Sequence, residues 1–361
     1  MRKTHRSLTE YGTPNILALT NTTGTLPMRN WTAGEFEGFE KIDAEALKKL
    51  VKHNKTCYSC VVSCGKLSEV KTGPYAGTQV EGPEYETLFA LGSLCENDDL
   101  ESIVKANEIC DRMGMDTVST GNVIAFAMEC SERGLLKPED TDGVNLTFGN
   151  SEAIVTILGR IAKREGIGNI FAEGVKKAAE IIGKGSDQYA IHVKGLEPPG
   201  YDPRGLKGVA LAYAVSCRGA CHLRHLAYRP NLTGSNPFRE GKIDRLSYAG
   251  QAQMVKEQEC FYTLVDSMVL CKFVCMPTIG PILWDELTKI YSIVTGVKVS
   301  REKLLAISER INNRIRSFNA REGVDKKDDT LPQRLLKEPV RGKIVQEKEL
   351  RKMLNQYYQL S

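Results

Sequence analysis

A mainly α fold in two helical domains, with only minor β-hairpins, is what this chain of 361 residues predicts. Three observations carry that prediction. Apolar residues recur at helical spacing through most of the sequence beyond residue 97. Strand-like runs are few and short, Tyr189-Ala190-Ile191-His192-Val193 being the best of them. The prolines and glycines between Gly195 and Gly205 forbid regular structure. The domain boundary is placed at the start of that stretch, giving domains over 1–195 and 196–361.

Taken in order, residues 1–40 read as extended and loop structure punctuated by Gly12, Pro14, Gly24, Pro27 and Gly34. Asp43 caps a short helix over 44–51 that delivers the chain to a cysteine-rich loop. The turn residues Lys71 to Gly77 make a small hairpin, and Pro83 suits the first turn of the helix that follows. Asn97-Asp98-Asp99 opens a helix with Leu100, Ile103, Val104, Ala106 and Ile109 on one face, ended by Gly114 in a left-handed position. Ser119 or Thr120 caps the next helix, stopped by Gly134. Ser151 caps a third, running to Gly166, and residues 169–183 make a fourth. Past the boundary, helices fall near 206–217, 246–270, 283–295 and 300–319, with a closing helix over 346–358.

Composition excludes several function classes. The chain is 41% hydrophobic and 26% charged with a net charge of +4, an ordinary globular balance that implies neither nucleic acid nor an anionic membrane. No apolar run approaches the roughly 18 residues of a membrane span, and no signal-like apolar segment follows Met1-Arg2-Lys3-Thr4-His5. The expected setting is cytoplasmic. Eleven cysteines then read as reduced thiols and metal ligands rather than a disulfide framework. An anaerobic environment fits, because exposed clusters lose iron to oxygen.

The stretch Cys57-Tyr58-Ser59-Cys60-Val61-Val62-Ser63-Cys64 places three thiols on one loop. Joined by a fourth from elsewhere, such a set can close around a [4Fe–4S] cluster. A structural zinc site is one competing reading, although zinc usually takes two separated Cys-x-x-Cys pairs. Inert buried thiols are the other. A second pattern is repeated. Asp111-Arg112-Met113-Gly114-Met115-Asp116 and Asp266-Ser267-Met268-Val269-Leu270-Cys271 each place an Asp five residues before a second polar group. Two such clamps suit a ligand with two similar halves, a flat nitrogen heterocycle displaying amino donors. On pattern alone, helix capping explains the aspartates equally well.

Together with Glu81-Gly82-Pro83-Glu84-Tyr85-Glu86, Tyr201-Asp202-Pro203-Arg204-Gly205 and Arg218-Gly219-Ala220-Cys221-His222, these motifs occur in the order seen in tungsten-dependent aldehyde ferredoxin oxidoreductases. The chain resembles the two mainly helical C-terminal domains of that family from about residue 10 to about residue 358. The resemblance implies a tungsten (or molybdenum) atom held by the dithiolenes of two pterins, with a [4Fe–4S] cluster beside one pterin. It implies oxidation of an aldehyde to a carboxylic acid, with electrons leaving singly to ferredoxin. By the same resemblance Cys57, Cys60, Cys64 and Cys271 are the cluster ligands. Asp111, Met115 and Asp116 form the first pterin clamp, and Asp266 and Leu270 the second. Arg224 lies near a pterin phosphate, and Glu86, His222 and Tyr201 lie in the catalytic pocket.

The chain also departs from the family pattern. It begins after the β-rich N-terminal domain that bears one face of the pterins, so the expectation is incomplete function alone, with that domain supplied as a separate subunit. The alternatives are an iron–sulfur electron-transfer or binding subunit, or an inactive relic. Val269 stands where Gly is usual, and Lys105 where some members bind an interface metal, so no such metal is expected. A homo-oligomer remains compatible with the sequence.

Overall fold

Helix caps and buried helix faces set this architecture, and the computed structural model describes it for residues 5–236, 238–276 and 282–360. The chain divides into two compact units. One is Ser7–Gly205 with Pro332–Ile344, and the other is Leu206–Leu331 with Val345–Ser361 and the start of the chain through Arg6. The division thus falls at the end of the Pro/Gly stretch rather than at 195/196, and residues 332–344 return to the first unit.

The first unit contains α1 (Arg6–Tyr11), α2 (Leu17–Thr22), α3 (Ala44–Lys48), α4 (Tyr85–Leu91), α5 (Leu100–Met113), α6 (Thr117–Glu132), α7 (Ser151–Lys163), α8 (Gly168–Phe171) and α9 (Gly174–Ile182). Its antiparallel sheet has the order β1 (Val51–Lys55), β2 (Gly65–Glu69), β3 (Gln79–Glu81). The second unit contains α10 (Lys207–Val215), α11 (Tyr228–Thr233), α12 (Gln251–Ser267), α13 (Trp284–Thr295) and α14 (Arg301–Arg321). Then α15 (Gln333–Lys337) lies in the first unit and α16 (Glu347–Gln359) closes the second. The fold is mainly α, as the periodicity predicts.

Capping fixes where helices begin. Asp43, Asp99, Asp116, Asn150 and Ser300 each accept a hydrogen bond from a first-turn backbone N–H. Asp116 and Asn150 therefore replace the expected caps Ser119 or Thr120 and Ser151. Within the first unit α4 packs against α6, and α5 against α7. Both α4 and α6 are apolar nearly all round and buried. Gly121 lets them meet, since a Cβ there would stand 2.3 Å from the Ala90 carbonyl oxygen. In the second unit α12 is the buried helix, packed by α10, α14 and α16.

Four local expectations change. Residues 1–40 hold the short helices α1 and α2. Helix α3 stops at Lys48 and Val51 opens β1. Pro83 precedes the Glu84 N-cap of α4. The run 189–193 is no strand, because its apolar residues are buried beside no partner strand; only the isolated Val193–Leu196 bridge forms.

Arg334, on the returning α15, is fully buried and donates to both oxygens of Glu129 on α6, at 2.7 and 2.8 Å. Asn30 and Arg133 donate to the same carboxylate. Burial works to raise the Glu129 carboxyl, but Arg334, Asn30 and Arg133 outweigh it and hold the group below the usual carboxylate range. Arg334→Met removes the bidentate partner and leaves that carboxylate to Asn30 and Arg133, which should cost about 3 kcal/mol, read by urea unfolding at pH 7. A carboxyl with a depressed folded value contributes stability that is present at neutral pH and lost as pH falls through its folded value. Variant and parent should therefore converge in acid, and equal stability at pH 7 would refute the role assigned to the pair.

Candidate functional site

The cysteine loop connects β1 to β2, whose register pairs Lys55 with Gly65 and Asn54 with Lys66. Cys57 is exposed, and Cys60 and Cys64 are partly buried. Ser59 and Ser63 both take left-handed conformations, with φ of 54° and 53°, so the loop doubles back twice within its length. The Cys60 N–H donates to the Cys57 carbonyl at 3.0 Å, and the Val62 N–H donates to Cys60 Sγ at 3.3 Å. The hydroxyls of Thr56 and Ser63 meet across the mouth of the loop, 2.6 Å apart.

The remaining thiols differ in kind. Burial pushes Cys110, Cys130 and Cys275 up to about 12 and Cys260 up to about 11, and it raises Cys95 as well. Those five are protonated and inert at neutral pH. Cys221 is no plain apolar filler, since its buried Sγ accepts from Arg218 Nη2 at 2.8 Å and Nε at 3.2 Å. Among the described residues no three His, Cys, Asp or Glu side chains gather closely enough to ligate one metal ion. The donor chemistry of the β1–β2 loop fits a cluster, whose irons each take one thiolate and do not draw the sulfurs to a single point. Cys271, exposed just beyond α12, belongs to the second unit.

The repeated Asp pattern is a repeated backbone corner. At the end of α5 the Gly114 N–H reaches the Asp111 carbonyl at 3.4 Å, and the Met115 N–H reaches that of Cys110 at 2.8 Å. At the end of α12 the Val269 N–H reaches the Asp266 carbonyl at 3.1 Å, and the Leu270 N–H reaches that of Val265 at 2.9 Å. Gly114 and Val269 share a left-handed φ, 67° and 56°. Both ends are Schellman turns, with an exposed Asp at the same position of each. Their electrostatics differ. Burial and the charges of Glu81 and Glu108 raise the Asp111 carboxyl. Asp266 is instead paired with Lys272 and, at 3.4 Å, with Arg224. Lys105, meanwhile, pairs with Glu108 at 2.8 Å.

Met115 and Asp116 open on a cavity of about 540 Å³ lined also by Ser119, Arg164, Phe171 and Glu197. Asp116 caps α6 through the N–H groups of Val118 and Ser119, so the capping explanation holds for this residue whatever else it does.

Glu86, in the first turn of α4, accepts the Gly200 N–H at 2.7 Å. Burial pushes its carboxyl up to about 8, against the lowering effect of that N–H, and the Asp116 charge adds to the rise. Gly200 sits so tightly on α4 that a Cβ would stand 2.6 Å from the Phe89 ring. The next residue, Tyr201, is buried with its ring centroid 5.2 Å from that of Tyr85. Glu86 and Tyr201 are thus brought to one place in the first unit. In the second unit, burial drives His222 down to about 3, helped by Arg218 and Lys272, so its imidazole is neutral at physiological pH. The sequence reading missed Lys66, Glu197 and Lys272, and it gave Arg218 no role beyond its place in a motif. No sequence signal marks Lys66, because the apolar Leu67 is the expected inward residue of β2, whereas the strand buries Lys66 and Ser68.

The whole chain, residues 1–361, matches the family described as aldehyde ferredoxin oxidoreductase, domains 2 and 3. It is 39% identical to the tungsten-containing aldehyde ferredoxin oxidoreductase of Pyrococcus abyssi, over 98% of this chain and 57% of that protein. It is 30% identical to the aliphatic sulfonate oxidoreductase, WOR-like subunit, of Pyrococcus furiosus, over 92% of this chain and 51% of that one. Its fold is similar to that of the active site complex BamBC of benzoyl coenzyme A reductase in complex with 1,5-dienoyl-CoA. That similarity has a TM-score of 0.74 at 21% identity, over 94% of this chain and 55% of the other. The chain spans a little over half the length of these relatives. No helix among the described residues is long and apolar enough to cross a membrane. The chain belongs to the aldehyde ferredoxin oxidoreductase family, in the part that carries its second and third domains.

Proposed function

We propose that this chain forms the cluster- and pterin-binding part of an aldehyde oxidoreductase, working with a β-rich domain supplied by another segment or subunit. The observation that carries this reading is the pair of Schellman corners, each offering an Asp from the same backbone position. When bound, a bis-pterin tungsten (or molybdenum) centre would supply the two-electron oxidation of aldehyde and water to carboxylate, with the [4Fe–4S] cluster handing electrons singly to ferredoxin.

The chain's own groups have distinct tasks. Asp111 with Asp116, and Asp266, would accept hydrogen bonds from the amino groups of a flat heterocycle, Met115 and Leu270 would pack on it, and Arg224 would meet its phosphate. Cys57, Cys60, Cys64 and Cys271 hold iron. Oxidising a hydrated aldehyde releases protons, and Glu86, poised near neutrality, is suited to take one at its carboxylate. His222, being neutral, orients substrate or water by hydrogen bonding and carries no charge. Tyr201 closes one wall.

Elemental analysis of protein purified without oxygen tests the reading. About four irons per chain without tungsten mean a cluster-bearing part that needs its β-rich domain before it holds pterin, and iron with tungsten means the two clamps suffice. Neither metal in a folded protein points to the inactive relic. Cys57→Ser, Cys60→Ser, Cys64→Ser and Cys271→Ser should each lose the cluster's visible absorption, while Cys130→Ser keeps it. An intact cluster in Cys271→Ser would remove that residue from the ligand set. Glu86→Gln should lower turnover about a hundredfold or more with metal content unchanged. Parent turnover should rise as pH climbs through about 8, where Glu86 loses its proton, and the variant should lose that limb. Full activity in the variant would remove Glu86 from the chemistry.

A further inference from the structure

Beneath the cysteine loop lies a cation that the thiol motif does not include. Lys66 follows Cys64 by two residues on β2 and is only 3% exposed. Its Nζ lies 3.1 Å from the carbonyl oxygens of Thr9 and Cys64 and 3.3 Å from those of Ser63 and Gly65. Three N–H donors are thus shared among four carbonyls, three of them on the Cys64 arm of the loop. Among the described residues no carboxylate pairs with this ammonium in an ion pair. Thr9 adds a second tie, its hydroxyl donating to the Val62 carbonyl at 2.7 Å. Gly12 packs on the same arm, where a Cβ would stand 2.8 Å from the Cys64 carbonyl oxygen.

A buried ammonium met only by neutral carbonyls is satisfied in hydrogen bonding but not in charge. Such a site is costly unless negative charge stands close by, and the groups of that sign acting on it are the Cys64 sulfur, on the loop it grips, and the Glu84 carboxylate. We propose that Lys66 is the positioning residue of the cysteine loop, fixing the Cys64 arm and supplying the positive charge that offsets an anionic cluster held there. This rests on the reading of the loop as a cluster site. The two effects separate: the grip acts on the empty loop, and the charge acts on the reduction potential of what the loop holds, because a nearby cation favours the more negative, reduced state.

The experiment uses the full chain and four variants, Lys66→Met, Lys66→Arg, Lys66→Gln and Lys52→Met. Lys52 is a surface lysine of the same sheet, paired with Glu69 at 3.2 Å, and controls for the loss of one charge. Chymotrypsin cleavage after the fully exposed Tyr58 reports on the empty loop. Lys66→Met should be cut about tenfold faster than parent while keeping its helical circular dichroism. After anaerobic reconstitution with iron and sulfide, Lys66→Met should release iron to a chelator faster and show a more negative midpoint potential by EPR-monitored titration. Lys66→Arg should restore the potential more than the cleavage rate, since it keeps the charge but not the compact donor geometry. Lys52→Met should match parent in all three.

Parent-like cleavage and potential in Lys66→Met would overturn the proposal. So would a shift in Lys52→Met as large as that in Lys66→Met. Should Lys66→Met fail to fold, Lys66→Gln decides: a potential below parent supports the assignment and an unchanged one rejects it. If the parent chain itself takes up no iron, the cluster reading fails, and the cleavage rates alone then decide whether Lys66 grips the loop.

Discussion

Two buried arginines hold one strained turn, and the first unit is assembled around that constraint. Arg29, Asn30 and Trp31 occupy left-handed conformations in succession, with φ of 46°, 44° and 68°. Each such residue costs about 1–2 kcal/mol, so the turn persists only because its surroundings fix it. Arg334 donates to the Asn30 carbonyl at 2.7 Å, and Arg204 donates to the Trp31 carbonyl at 2.6 Å. Trp31 in turn donates its indole N–H to Asn122 on α6 at 3.0 Å. Arg204 is neutralised by Asp202, and Arg334 by Glu129 with Glu338 on its Nε at 3.0 Å; both also donate to main-chain carbonyls. The Asp-Pro-Arg of the Tyr201 motif is therefore scaffold, and it sets the backbone from which Gly200 reaches Glu86.

The second unit repeats this logic with one carboxylate and several cations. Glu259 on α12 is buried against Arg316 at 3.1 Å, with Lys256 and His225 at 3.6 and 3.7 Å, and it accepts the Tyr357 hydroxyl from α16. Burial works to raise its carboxyl, and the facing His225, Arg316 and Lys256 together hold it far below the usual range. Arg316 also donates to the Val215 carbonyl at the end of α10. One buried anion thus ties α10, α12, α14 and α16 together. These partners are far apart in sequence, and only the folded chain shows that the charges belong to one cluster.

That separation explains how much could be read in advance. Helices α5, α7, α12, α13, α14 and α16 fall where the periodicity places them, because each buries one stripe or, as α12 does, most of its length, and ends on local signals such as Asp99 or Gly114. Helices α1 and α2 carry no comparable stripe. They are fixed by distant groups, as when Asn21 exchanges hydrogen bonds with both the N–H and the carbonyl of Phe36. The run 189–193 reads as a short strand, but its residues record only burial, and among the described residues no strand lies beside it to pair with. At the site, the clustered thiols and the repeated Asp pattern were legible as local motifs, and Glu86 was legible only through the family resemblance. Lys66 was not, because a lysine two residues past a cysteine reads as solvated until β2 turns it inward.

The two corners show why pattern and geometry must be argued apart. At Gly114 the left-handed residue is a glycine, which adopts that conformation at little cost. At Val269 it is β-branched, and the same conformation is strained. Val269 is also 91% exposed, so no packing of its side chain offsets the strain. What holds the second corner is therefore the bonding around it: the Leu270 N–H on the Val265 carbonyl, and Asp266 gripped by Arg224 and Lys272. The first corner needs no such grip, and there Asp111 faces acidic neighbours instead. The same backbone shape is reached once through the residue that bends and once through the charges that clamp it. A search keyed to glycine would find only the first. The shared hydrogen bonds, and the carboxylate each corner presents, make the two equivalent.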